Sequence, residues 1–302
     1  MAMLHVTLLS GRSVTGRFVS ETNRPVRITS WTYPEAVGFI RSIKTCRAGY
    51  SPVMRFPPRR HQPAPTMSHI AVVVPARDEA ASIGDCLDSI NIARSQLPAD
   101  VRSTVVVVAD RCRDDTVRRA LDRLAGRAGD VVIETDRGNA GAARQFGARC
   151  VLSDLVDDPS RVWMANTDAD TTVDPDWLTR QLELAARGVV AVAGIVRLRY
   201  ESTSLALVES FERSYERGDD GSHPHVHGAN LGFRADAFLA VGEWNALATG
   251  EDHDLWNRLR LFGPVESTTS LCVTTSARIR GRAPNGFAAN LAALDASIEP
   301  VA

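Results

Sequence analysis

Asp168 and Asp170 stand one residue apart, at the end of the apolar run Val162 to Ala165 and just ahead of Pro175-Asp176-Trp177-Leu178. Where a strand turns into a loop, two such carboxylates can converge, and they then repel unless a divalent cation neutralises them. Hard oxygen ligands suit Mg²⁺ or Mn²⁺, which take one or two carboxylates and complete their shell with water and phosphate oxygens. Two other turns carry acids in the same kind of place: Arg77-Asp78-Glu79 after Pro75-Ala76, and Asp110 followed by Asp114 and Asp115. Carboxylates at the ends of three strands are hard to explain as surface decoration, although Asp114 or Asp115 also suits a helix N-cap. Gly138-Asn139-Ala140-Gly141 opens a fourth turn, with Arg144 behind it. Its spacing is neither a dinucleotide fingerprint nor a Walker A sequence. The glycines either let the backbone approach a phosphate or base at a helix N-terminus, or serve tight helix–sheet packing.

These residues must be held by alternating strands and helices. Short β-branched runs at Ile70 to Val74, Val105 to Val108, Val131 to Ile133, Val162 to Ala165 and Val189 to Val196 read as buried strands. Between them, Ile83, Leu87 and Ile90 share one helical face, as do Val117, Ala120, Leu121 and Leu124, and a small-residue helix is expected from about 140 to 151. That order is an α/β arrangement with a mostly parallel sheet and helices on both faces. Ligands in such sheets collect at the carboxyl ends of the strands, where the polar turns lie.

Composition narrows the classes. The chain has 302 residues, 44% hydrophobic and 24% charged, which allows a sizeable core and excludes wholesale disorder. A formal net charge of −1 argues against a dedicated nucleic-acid binder. No apolar run reaches the length of a membrane span. Five scattered cysteines without a Cys-x-x-Cys pair suit reduced thiols in a cytoplasmic protein. The near-neutral total hides an asymmetry: residues 1–66 hold nine Arg and one Lys against two acids, and the rest carries 25 basic against 34 acidic groups. The first segment ends in prolines at 52, 57, 58, 63 and 65, which favour extended conformations. It reads as a poorly ordered extension ahead of Met67, or as an Arg-rich targeting or polyanion-binding arm.

Together these residues resemble the family 2 glycosyltransferases with the GT-A fold. The ordered marks are Pro75-x-x-x-Glu79, Asp110, Asp-Asp-Thr at 114–116, Gly138 to Arg144, Asp168-Ala169-Asp170, Gly228-Ala229-Asn230, and Gly250-Glu251-Asp252-His253-Asp254-Leu255 with Arg258. The resemblance covers roughly 67–282. It implies one GT-A domain over 67–302, with a nucleotide-binding half at 67–170 and an acceptor-binding half at 171–302. By position, Pro75, Ala76, Arg77, Glu79, Asp110 and Arg144 would hold the nucleotide. Asp168 and Asp170 would bind the sugar diphosphate through Mg²⁺ or Mn²⁺. Gly228, Ala229 and Asn230 would line the sugar pocket, and Asp252, beside Glu251, would be the catalytic base. The implied partners are a nucleotide-diphosphate sugar and an acceptor hydroxyl, with peripheral membrane association left open. The family's C-terminal histidine and Gln-x-x-Arg-Trp element are absent. Arg278, Arg280 and Arg282 either serve the diphosphate instead or form a solvated basic loop.

Asp252 suits a base because direct displacement at an anomeric carbon needs the acceptor hydroxyl to lose its proton as it attacks. Leu255, Leu259 and Phe262 mark a helix starting beside it, and a helix N-terminus favours a negative side chain; capping that helix is the plainer role. His223, His225 and His227 alternate and would share one face, for zinc or as acceptor-pocket or loop histidines. Trp163, Trp177, Trp244 and Trp256 read as core, with Trp244 or Trp256 also able to stack on a sugar. The rival readings are a retaining transferase, a nucleotidyltransferase, and an inactive sugar-nucleotide-binding protein.

Overall fold

The structure, a computed structural model, describes residues 64–155, 157–200, 204–281 and 286–298, with the backbone of β1 (Ala2–Thr7), β2 (Ser13–Phe18) and β3 (Arg27–Ile28). The further strands are β4 (His69–Ala76), β5 (Arg102–Asp110), β6 (Val131–Thr135), β7 (Val162–Asn166), β8 (Thr172–Val173), β9 (Ala191–Leu198), β10 (Leu231–Arg234) and β11 (Val265–Thr275). The helices are α1 (Ile83–Ser95), α2 (Thr116–Leu124), α3 (Ala140–Ser153), α4 (Trp177–Ala186), α5 (Leu205–Ser214), α6 (Ala235–Ala240), α7 (Glu251–Phe262) and α8 (Phe287–Ala296). One mixed sheet runs in the order β2-β1-β3-β6-β5-β4-β7-β10-β9-β11-β8.

The strands at the centre explain their own composition. In β4, Ile70, Val72 and Val74 pack on one side while Ala71 and Val73 pack on the other. β5 repeats this with Val105 and Val107 against Val106 and Val108. Both faces are covered, so the runs are apolar throughout instead of alternating. On the first face lie Leu87 and Ile90 of α1, Leu124 of α2 and Trp177 and Leu178 of α4. On the second lie Ala143 and Val151 of α3, Phe238 of α6 and Leu255 and Leu259 of α7.

β4, β5, β6 and β7 are mutually parallel, as expected, and β9 is parallel to β11. Between the two parallel groups β10 runs antiparallel to both β7 and β9. This reversal carries the chain from the Gly228–Asn230 turn back under the sheet. Asn230 locks the junction: fully buried, it donates from Nδ2 to the Ile195 and Leu271 carbonyls (2.8 and 3.0 Å) and accepts from Trp177 Nε1 at 2.9 Å. No helix among the described residues is long and apolar enough to cross a membrane.

Beyond β6, Arg27 and Ile28 of β3 pair antiparallel with Glu134 and Ile133, and β1 and β2 continue the edge. The expectation of a poorly ordered extension falls mainly on residues outside those described. Met67 is 6% exposed, and the Ser68 N–H donates to the Arg161 carbonyl at 2.9 Å. A chain that starts at Met67 is therefore expected to fold with a single cooperative transition and to remain soluble. Loss of cooperative unfolding in that shortened chain would contradict this domain boundary.

Candidate active site

A cavity of about 220 Å³ opens where β4, β5 and β7 end. Pro75, Ala76, Arg77, Glu79, Asp110, Asp168 and Asp170 line it, as does the start of α3 at Gly138 to Ala140. The turn after β4 is braced from α2. Asp78, at φ 52°, accepts from the Arg113 N–H at 2.7 Å, Glu79 N–H donates to Thr116 Oγ1 at 2.7 Å, and Ala80 N–H donates to Asp114 at 3.0 Å. Asp78, Cys112 and Asp114 are the one group of three potential metal-ligating side chains found together among the described residues. Both carboxylates there are engaged by backbone N–H groups, so they serve the turn. Asp110 is engaged likewise, accepting from Arg137 N–H at 2.5 Å and Gly138 N–H at 2.8 Å. Gly138 needs its glycine for that turn, with φ at +89°.

Asp168 and Asp170 follow β7 by two and four residues and both reach the cavity. Asp170 is pushed up to about 6, first by burial and then by the charges of Asp168 and Glu79, with Arg278 pulling the other way. Two hard oxygen ligands, one on the buried Asp170 and one on the half-exposed Asp168, fit a Mg²⁺ or Mn²⁺ ion that shares its remaining positions with phosphate and water. Asp170 Oδ2 meets Arg278 Nη2 at 3.1 Å, and Arg278 Nη1 donates to Glu79 Oε1 at 2.7 Å.

Arg144 projects from α3 and joins the two acidic sequences. It donates from Nη2 to Asp168 Oδ1 at 2.5 Å and from Nη1 to Glu251 Oε1 at 2.8 Å. Burial works against its charge, and Asp168, Glu251 and Asp252 more than offset that, so its pKa is raised. The fit requires two glycines. A Cβ at Gly228 would lie 2.6 Å from Arg144 Cζ, and one at Gly141 would lie 2.8 Å from Glu251 Cγ. Gly141 thus gives room to the Glu251 side chain of α7. Glu251 and Asp252 occupy the first turn of α7. The N-cap position is Gly250, and Asp252 accepts from the first-turn His253 N–H at 2.9 Å and from the Gly228 N–H at 3.0 Å. Arg144, expected at the nucleotide, is absent from the cavity lining, as are Gly228, Ala229, Asn230, Glu251 and Asp252. Arg144 links Glu251 to Asp168, and Asp252 links the Gly228 turn to α7.

Comparison with known proteins identifies the family and the fold. Residues 71–242 fit the description "Glycosyl transferase family 2". The chain belongs to that family. It is 26% identical over 194 residues to the glycosyltransferase AglE of Haloferax volcanii, covering 62% of this chain and 60% of AglE. The chain thus spans about 60% of the length of that curated relative. Among solved structures it resembles the mannosyltransferase PcManGT from Pyrobaculum calidifontis in complex with GDP-Man and Mn²⁺, with a TM-score of 0.53, 19% identity and coverage of 82% of this chain and 66% of that one. It also resembles S. aureus TarS 1-349 in complex with UDP, at a TM-score of 0.51, 13% identity and coverage of 69% and 60%. These likenesses assign the GT-A fold.

Sequence reasoning within this family left Arg278 undecided; it lines the cavity, whereas Arg280 is exposed and Arg282 lies outside the described residues. Phe287 of α8, which closes one wall, gave no signal in the sequence because the helix is short and its neighbours are alanines. All four tryptophans under discussion are buried. The histidines do share a face: His223, His225 and His227 follow one another at 6.0 and 6.1 Å, with Tyr215 3.9 Å from His225. Tyr215 Oη and His227 Nε2 are hydrogen-bonded at 2.7 Å.

Burial lowers His227 to about 4, against a partial pull upward from Asp252 and a further push down from His225 and His223. The unfolded chain therefore binds the extra proton between about pH 6.5 and 4, and stability falls as pH drops through that window. Between about pH 7 and about pH 4.5 this one group removes roughly 2 kcal/mol. In denaturant melts at those two values, His227→Gln is expected to lose about that much less stability than the wild type. Equal losses in the two proteins would contradict a neutral, buried His227.

Proposed function

We propose that this protein is a glycosyltransferase that moves a sugar from a nucleotide-diphosphate sugar to an acceptor hydroxyl, with metal assistance and inversion at the anomeric carbon. The observation that carries the reading is Arg144, whose guanidinium joins Asp168 of the Asp-x-Asp sequence to Glu251 beside Asp252. It brings the donor-binding acids and the candidate base into one site. GDP-Man and Mn²⁺ in PcManGT, and UDP in TarS, support the same donor chemistry here.

In this reading residues 67–170 form the nucleotide-binding half and 171–302 the acceptor half. Pro75, Ala76, Arg77, Glu79 and Asp110 surround the base and ribose. Asp168 and Asp170 would hold Mg²⁺ or Mn²⁺, which when bound would supply positive charge for the leaving diphosphate. Gly228 and Ala229 border the donor sugar, and the buried Asn230 side chain fixes that turn from behind. Arg144 sets the spacing between Asp168 and the start of α7. Asp252, oriented by the Gly228 N–H, accepts the proton of the acceptor hydroxyl as its oxygen attacks the anomeric carbon. The bond to the diphosphate oxygen breaks on the opposite side, and Arg278 lies close enough to the cavity to meet that charge.

Two substitutions test the two arms. Asp170→Asn is expected to weaken Mn²⁺-supported donor binding and to slow transfer by roughly a hundredfold or more. Full activity of the wild type in excess EDTA would contradict the metal role. Asp252→Asn keeps an acceptor for the Gly228 N–H and is expected to fold normally and bind donor, while transfer slows by about a hundredfold or more. A variant that turns over within a few-fold of wild type would remove Asp252 from the mechanism.

A further inference from the structure

Two arginines face the acids of this site, and they are held very differently. Arg144 is 4% exposed, pressed against Gly228 and lying 5.8 Å from the Trp244 ring. Arg278 is 35% exposed and sits on the connection between β11 and α8, with no ring stacked on it among the described residues. Yet Arg278 spans the cavity mouth, reaching Glu79 at 2.7 Å and Asp170 at 3.1 Å, and these acids are only 9% and 10% exposed. The guanidinium thus ties the turn after β4, the turn after β7 and the connection after β11 to a single charge. It also occupies Asp170 Oδ2, one of the few hard oxygens open to a divalent ion.

We propose that Arg278 is the resident cation of the donor-free site, and that it hands Asp170 to the divalent ion and takes the donor diphosphate in exchange, so that metal and nucleotide are acquired together. The inference rests on the metal-assisted reading given above. An ion arriving alone has to displace the guanidinium from the buried Asp170 and leave it with the bond to Glu79 but without its second carboxylate, which is costly. When a diphosphate arrives as well, the planar fork finds two phosphate oxygens and keeps its charge paired. Each ligand then raises the affinity of the other by the same factor. The arrangement also pairs Glu79 and Asp170, whose mutual repulsion Arg144, engaged with Asp168 and Glu251, does not offset.

The test is Mn²⁺ binding followed by the loss of the free-ion EPR signal, with wild type, Arg278→Gln and Asp170→Asn, each alone and with GDP or UDP. In the wild type Mn²⁺ is expected to bind weakly alone and about tenfold or more tighter with the nucleotide that binds. Arg278→Gln is expected to bind Mn²⁺ alone about tenfold tighter than wild type, and to show a coupling to nucleotide reduced by a similar factor. Arg278→Lys keeps one charge but cannot bridge both acids, and should fall between the two, which preserves the test if the glutamine variant folds poorly. The proposal is overturned if Mn²⁺ binds wild type through Asp170 but binds neither Arg278 variant more tightly. If wild type fails to bind Mn²⁺ with or without nucleotide, the metal reading falls and this inference falls with it.

Discussion

Repulsion among acids is the constraint on which the site depends. Glu79, Asp168, Asp170, Glu251 and Asp252 come from three separate turns and meet around one cavity and its rim, and Glu79 and Asp170 are nearly buried. Buried charges persist only when they are paired. Arg144 pairs Asp168 with Glu251, and Arg278 pairs Glu79 with Asp170. Burial, and after it the charges of Asp168 and Glu79, push the Asp170 carboxyl up to about 6 even though Arg278 pulls the other way.

The fold can be understood as the apparatus that brings those turns together. Parallel strands β4, β5 and β7 end on the same edge, and their sequential turns deliver Glu79, Asp110 and Asp168 to it. The antiparallel β10 then sends the Gly228 turn to the same edge from the other direction, where its N–H meets Asp252. Glycine at 141 and at 228 removes the side chains that would keep α3, α7 and this turn apart. A larger residue at either place would push Arg144 or Glu251 out of register. The chemistry thus depends on contacts between elements far apart in sequence.

Those long-range features were the ones the sequence concealed. The central strands were legible because both of their faces are buried and the runs are therefore continuous valine and isoleucine. β10 was not, since Leu-Gly-Phe-Arg is too short to show a period. β11, Val-Glu-Ser-Thr-Thr-Ser-Leu-Cys-Val-Thr-Thr, reads as loop over its first half because that part is only half-buried beside β9. The Asp-x-Asp turn was recognisable from its position after an apolar strand. Asn230 illustrates the opposite case: its sequence neighbourhood suggests a pocket, while its side chain braces β9, β11 and α4. Arg278 could not be separated from Arg280 by sequence, because only the three-dimensional path of the connection after β11 decides which one faces the acids.

The central claim is that one carboxylate, Asp252, deprotonates the acceptor while the donor leaves in a single displacement. The anomeric configuration of the glycosidic bond in the product, read by proton NMR, tests that claim most directly. A single displacement predicts a product of configuration opposite to that of the nucleotide sugar. A product that keeps the donor's configuration would contradict it, because retention requires a second displacement or a different mechanism at the same centre.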